Sequence, residues 1–178
     1  MKKLLLFLCP FYILYIEKWG EVVLQYMKVV PLPIERGGNM TGQYHHSIDA
    51  KGRLFIPARL REELGETFYV TIGMGHCLAI HSEESWKSVT ERLESMPYSK
   101  TRDAMRMLYA NAAKCEPDAQ GRILLPAKLR DFASLGKNVV VIGVSKRAEI
   151  WDEDTWNAME NESLSSEAMM EAMEELGL

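Results

Sequence analysis

The 178-residue chain has three cysteines, Cys9, Cys77 and Cys115, an odd number without C-x-x-C spacing. That excludes a disulfide framework and a zinc knuckle, and it fits reduced, buried thiols in a cytoplasmic protein. There is no G-x-S-x-G, no phosphate-binding glycine-rich loop and no H-E-x-x-H, so the sequence signatures of a serine hydrolase, a P-loop NTPase and a zincin are missing. His45-His46 alternate across an expected strand, and His76, Cys77 and His81 have no fourth ligand at metal spacing. We therefore expect no metal, no cofactor and no enzyme.

Long apolar runs are also missing. The longest, Leu4 to Ile16, follows Lys2-Lys3 and is interrupted by Pro10, so it falls short of the roughly 20 residues a spanning helix needs. Glu17, Lys18 and Trp19 follow it in place of a small-x-small cleavage site, so no membrane partner is expected. Arg36-Gly37-Gly38 can be encoded by a purine run just ahead of the Met40 codon. Residues 1–39 therefore read as an upstream extension or a disordered leader, with Met40 as the start.

Positive charge is unevenly supplied. The chain as a whole carries −4, yet Met40 to Trp151 holds 16 Lys/Arg against 13 Asp/Glu, a net +3, whereas Asp152 to Leu178 has nine acids and no base. A mildly basic body with an acidic C-terminal tail is compatible with an anionic partner in a way the global charge conceals.

What the chain does have is an internal repeat. Asp49-Ala50-Lys51-Gly52-Arg53-Leu54-Phe55-Ile56-Pro57-Ala58-Arg59-Leu60-Arg61 realigns on Asp118-Ala119-Gln120-Gly121-Arg122-Ile123-Leu124-Leu125-Pro126-Ala127-Lys128-Leu129-Arg130, with eight of thirteen positions identical. Val70 to Gly73 then matches Val140 to Gly143, and Ile80 to Trp86 matches Ile150 to Trp156. Each copy reads as an α+β unit. Strand Tyr44 to Ile48 and strand Arg53 to Ile56 flank a turn shaped by Asp49 and Gly52, with Asp118 and Gly121 in the second copy, and we expect a hairpin there. Pro57 opens a helix that Gly65 closes. Phe68 to Ile72 and Leu78 to His81 make a second hairpin, and Ser82 or Asp152 caps the helix that follows. Ser99 or Thr101 starts a connecting helix with Met105, Leu108, Tyr109 and Ala112 on one face. Ser166 caps a last short helix bearing Met169, Met170 and Met173, a stripe suited to docking on a neighbouring subunit or the chain's own body.

The paired Asp49 and Asp118 raise a proton-sharing dyad as in aspartic proteases, but Ala follows each Asp where such a site needs a hydroxyl residue. Nucleic-acid binding uses more of the residues. A two-stranded ribbon fits the major groove, arginine forks pair with guanine, and Arg53 and Arg122 stand just past the turns with Lys51 beside the first. Arg59, Arg61, Lys128 and Arg130 on the following helices can meet phosphates. The same spacing equally permits Arg53 and Arg122 to form ion pairs with Asp49 and Asp118 that fix the turns.

With both copies of D-A-x-G-R-[LI]-x-[IL]-P-A-[RK]-L-R in view, and the Trp-containing segment after each, the chain resembles the MraZ family of bacterial transcriptional regulators. The match runs from about Met40 to about Glu160. The resemblance implies two pseudo-symmetric AbrB-like halves in a double-split, swapped-hairpin β-barrel with flanking helices. It also implies a ring-shaped homo-oligomer that binds short G-rich direct repeats in double-stranded DNA upstream of its own division and cell-wall operon, in the nucleoid. The family's DxxxR element, carried over, becomes Asp49 with Arg53 and Asp118 with Arg122. Gln120 in place of Lys51 suggests that the first turn binds more strongly. The expected organisation is 40–97 for the first repeat, 98–112 for the connecting helix, 113–160 for the second repeat and 161–178 for an acidic C-terminal helix or tail. The competing reading is an oligomeric, antitoxin-like β-barrel interaction module that binds no DNA.

Overall fold

The computed structural model describes residues 39–164 and 166–177; the expectation for 1–39 lies outside these almost entirely. The first repeat contributes β1 (Gln43–Ser47), β2 (Arg53–Phe55), α1 (Ala58–Leu64), β3 (Phe68–Ile72), β4 (Leu78–Ser82) and α2 (Glu83–Ser95). Next come the connecting helix α3 (Tyr98–Ala110) and the second repeat: β5 (Ala113–Cys115), β6 (Arg122–Leu124), α4 (Ala127–Phe132), β7 (Asn138–Val144), β8 (Arg147–Asp152) and α5 (Glu153–Leu164). Helix α6 (Glu167–Glu175) ends the chain. The architecture is α+β with antiparallel sheets.

Several local expectations hold for local reasons. The Ser82 hydroxyl accepts the Ser85 N–H at 3.1 Å, Asp152 Oδ1 accepts that of Thr155 at 3.3 Å, and Ser166 accepts that of Met169 at 3.2 Å. Each satisfies an amide that the first helical turn leaves without a partner. Gly65 follows α1 at φ 83 and donates its N–H to Arg61 O. Helix α3 differs: it starts at Tyr98 behind Pro97, and the Thr101 hydroxyl bonds back to Pro97 O at 3.4 Å from a buried position. The fixed φ of proline starts the helix there without a side-chain cap.

Strand partnership departs from the expected hairpin. β1 does not ladder with β2; it pairs with β7 of the second repeat, from Gln43↔Ile142 to Ser47↔Asn138. Reciprocally, β5 of the second repeat pairs with β3 of the first. β2 pairs with β6 in a separate two-stranded ribbon, Arg53↔Leu124, Leu54↔Ile123 and Phe55↔Arg122. The second expected hairpin, β3 with β4, forms in register Phe68↔Ser82 to Ile72↔Leu78. The large sheet runs β1-β7-β8-β4-β3-β5 and stays open, with β1 and β5 at its edges. The described strands thus do not close into one barrel, because β2 and β6 take each other as partners and leave the large sheet.

One core serves both repeats. Leu54, Ile56, Leu60, Phe68, Val70 and Ile80 pack in one cluster with Ile123, Leu125, Leu129, Val139, Val141 and Ile150. β7 is apolar on both faces: Val139 and Val141 face this core, while Val140 and Ile142 join Cys77 and Trp151 in a second cluster, against which Trp156 and Met159 of α5 pack. Its run of consecutive apolar residues follows from that two-sided burial. The face over the first repeat is covered by aromatic contacts, with Tyr69 stacked on Trp86 at 5.0 Å and Trp86 edge-on to Tyr109 of α3 at 6.0 Å.

Candidate nucleic-acid interface

The two Asp-Ala-x-Gly-Arg turns have the same construction. Asp49 Oδ1 accepts the N–H groups of Lys51 and Arg53, each at 2.9 Å, while Gly52 N–H donates to Asp49 O at 2.8 Å. In the second turn Asp118 Oδ1 accepts from Gln120 and Arg122 at 2.9 Å, and Gly121 N–H donates to Asp118 O at 2.7 Å. The aspartate thus satisfies the amides of a tight reversal. Gly52 and Gly121 sit at φ +78 and +76, where a Cβ is strained.

The second carboxylate oxygen holds the arginine. Arg53 Nε and Nη2 both reach Asp49 Oδ2 at 2.7 Å, and Arg122 does the same to Asp118 Oδ2 at 2.9 and 2.8 Å. Of the two roles the sequence left open, the ion pair is therefore present in both turns, and neither arginine hangs free at its tip. The pairing does not exhaust the guanidinium. Arginine has five N–H donors, so at least three remain, on side chains about 30% exposed.

These bonds also bear on the proton-sharing dyad. Arg122 holds the Asp118 carboxyl down at about 2, and the backbone amide of Arg53, with its guanidinium, lowers that of Asp49. Two carboxyls sharing a proton push one of the pair upward. Both are lowered here.

The helix cations divide into two kinds. Arg61 and Arg130 turn back to the main chain, Nε donating to Ile56 O at 3.0 Å and to Leu125 O at 3.2 Å. Each then lies over the turn of the other repeat. A Cβ built on Gly121 would come within 3.0 Å of the Arg61 guanidinium, and one on Gly52 within 3.3 Å of that of Arg130. Lys51, Arg59 and Lys128 are exposed, and among the described residues they have no ion pair or side-chain hydrogen bond.

Residues directly opposite in an antiparallel pair project from the same face. The outer face of the ribbon therefore carries Arg53 beside Leu124 and Arg122 beside Phe55, while Leu54 and Ile123 point inward and are fully buried. Phe55 is partly covered by the edge of His46 at 5.2 Å and by the Arg61 guanidinium at 5.9 Å. Leu124 is 62% exposed, a feature the sequence did not signal, because Ile-Leu-Leu reads as a buried run. A shallow groove beside α1, of about 750 Å³, is lined by Arg61 with Glu62, Glu66, Glu116 and Asp118. Its carboxylates repel phosphate and mark an edge of the cationic surface.

The histidines have other employments. His45 Nδ1 meets Glu153 at 2.8 Å, and His81 bonds Ser85 at 3.1 Å, with burial holding its ring down at about 4. Burial raises the thiols of Cys77 and Cys115, the latter to about 11. Among the described residues no three His, Cys, Asp or Glu side chains are grouped to hold a metal ion, and no helix is long and apolar enough to cross a membrane.

Comparison with known proteins gives a consistent result. The family described as "MraZ protein, putative antitoxin-like" matches residues 40–107 and again 108–176. A protein of Carboxydothermus hydrogenoformans named "Transcriptional regulator MraZ" is 50% identical over 118 residues, covering 65% of this chain and 82% of its own. A Thermoanaerobacter protein of the same name is 45% identical over 142 residues, covering 78% and 99%. A solution structure from Pyrococcus horikoshii overlaps 60% of this chain and 92% of its own at 16% identity, with a TM-score of 0.28. Two successive family matches fall on the two halves of a chain whose strands interleave, and the chain belongs to the MraZ family.

Proposed function

We propose that the chain is a sequence-specific, DNA-binding transcriptional regulator that acts on its own division and cell-wall operon. In this reading it engages short direct repeats in double-stranded DNA as a ring-shaped homo-oligomer in the nucleoid. The observation that carries the reading is the β2–β6 ribbon, which sets two buttressed arginines, Arg53 and Arg122, on one outward face. A two-stranded ribbon is a shape the major groove admits, and arginine is the residue that matches the two acceptors of guanine. The aspartates orient the forks in advance, so less side-chain freedom is lost on binding. Lys51, Arg59 and Lys128 supply phosphate contacts, while Arg61 and Arg130 act mainly by holding the turns. The exchanged ladders support regarding the repeats as AbrB-like halves of a swapped-hairpin assembly. Since one ribbon has few cations, several copies on repeated boxes gain affinity through effective concentration.

The experiment is a titration of the DNA upstream of its own gene with the wild type and Arg53→Ala, followed by footprinting and repeated at several salt concentrations. We expect about a 10- to 100-fold weaker complex for the variant, the worth of one bidentate base contact, and an affinity that falls steeply with salt. Unchanged affinity in Arg53→Ala would remove it as a reading residue. A second reading, an interaction module without DNA, is favoured by the ion pairs themselves, which explain both arginines as turn braces. It predicts no salt-dependent duplex binding at all.

A further inference from the structure

Among the described residues, Leu124 is the one exposed large apolar side chain that lies on a β-strand. Outward positions of a half-buried strand are ordinarily polar. Its pseudo-symmetric counterpart Phe55 is sheltered by His46 and Arg61. In the first repeat His46 stands three residues before the turn aspartate. At the equivalent place in the second repeat stands Cys115, which is 7% exposed and packed into the core. The second repeat therefore has no ring there to cover its strand, and Leu124 is left open beside Arg53, its partner in the ladder.

We infer that Leu124 is a specificity-determining contact to the methyl group of a thymine next to the base that Arg53 reads. The inference rests on the DNA-binding reading above and sharpens it. In the major groove thymine is the base that offers a methyl group, and an apolar side chain is its natural complement. The surroundings favour DNA over a second copy of this chain as the occupant, since Arg53 and Arg122 share the face and Lys51 stands at the adjoining turn. Two copies meeting by this face would set like charges against each other, whereas phosphates and base acceptors complement them. A ribbon whose backbone is nearly two-fold symmetric thus has chemically different ends: bare leucine with arginine at one, sheltered phenylalanine with arginine at the other. Such a ribbon binds a non-palindromic box in one direction.

The test replaces each thymine of the bound upstream duplex, one at a time, with deoxyuridine, which keeps the pairing and removes the methyl. Wild type, Leu124→Ala and Leu124→Met are titrated against each duplex, and their particle sizes are compared by size-exclusion chromatography. We expect one thymine per box at which deoxyuridine weakens the wild type about fourfold, the worth of one buried methyl. The same replacement leaves Leu124→Ala unaffected, and Leu124→Met recovers sensitivity. Equal losses in wild type and Leu124→Ala at every thymine would overturn the assignment. So would a smaller particle for Leu124→Ala, which would place the side chain in a subunit contact. Absence of any salt-sensitive duplex binding by the wild type overturns the DNA reading and this inference together, and is distinct from both.

Discussion

Arg61 lies against Gly121, the turn glycine of the other repeat, so closely that a Cβ there would stand 3.0 Å from the guanidinium. Arg130 lies over Gly52 in the same way at 3.3 Å. Each helix therefore clasps the turn it does not follow in sequence. The shape of the first turn depends on the second repeat, and that of the second on the first.

This clasp makes the glycines unequal. Gly121→Ala meets both a positive φ and the tighter contact, whereas Gly52→Ala meets the same backbone strain with slightly more room. We expect both to destabilise the fold by about 1–3 kcal/mol, with Gly121→Ala the worse. Chemical denaturation of the three proteins measures the order, and a neutral Gly121→Ala would show that the clasp does not constrain the turn.

The turn carboxylates give a pH dependence. Arg122 holds Asp118 at about 2, below its ordinary value of 3.8. A lowered carboxyl binds fewer protons folded than unfolded, so its contribution is fully present above pH 4 and is lost as pH falls from about 4 to about 2. Asp118→Asn should flatten this part of an acid-unfolding curve followed by circular dichroism. The group is exposed, so the change is small and screened by salt. A curve identical to that of the wild type would argue against the pair.

Strand exchange makes a half-chain incomplete. Residues 40–112 alone keep the β3–β4 hairpin but lose β7 as partner of β1 and β6 as partner of β2. Main-chain groups without partners and exposed Leu54 and Ile56 follow, so a folded monomer is not expected. Analytical ultracentrifugation with circular dichroism should find either an unfolded chain or a dimer that supplies the missing ladders. A folded monomer of this fragment would contradict the interleaving.

Most of what was legible in the sequence is local. The repeat, the helix caps Ser82, Asp152 and Ser166, the β3–β4 hairpin and the turn role of Asp49 and Gly52 all follow from residues a few positions apart. The choice of ladder partner does not. The turn reverses the chain as expected, with Asp49 N–H bonded to Arg53 O at 2.9 Å. Three-residue β2 then finds its partner some 70 positions away, since Leu54 and Ile123 are buried together. For the same reason Arg61 and Arg130 read as phosphate contacts in sequence, while their reach over the opposite turn depends on packing. The openness of Leu124 was hidden too, because it arises from Cys115 standing where the first repeat has His46.

Joining the two interleaved repeats in one polypeptide has a genetic consequence. A homodimer with the same ladders would be encoded once, and any substitution would appear in both halves. Here Lys51 of the first repeat corresponds to Gln120 of the second, and Phe55 corresponds to Leu124. Each half can therefore change separately while the shared core keeps them paired, so a site with two equivalent arms can acquire a front and a back.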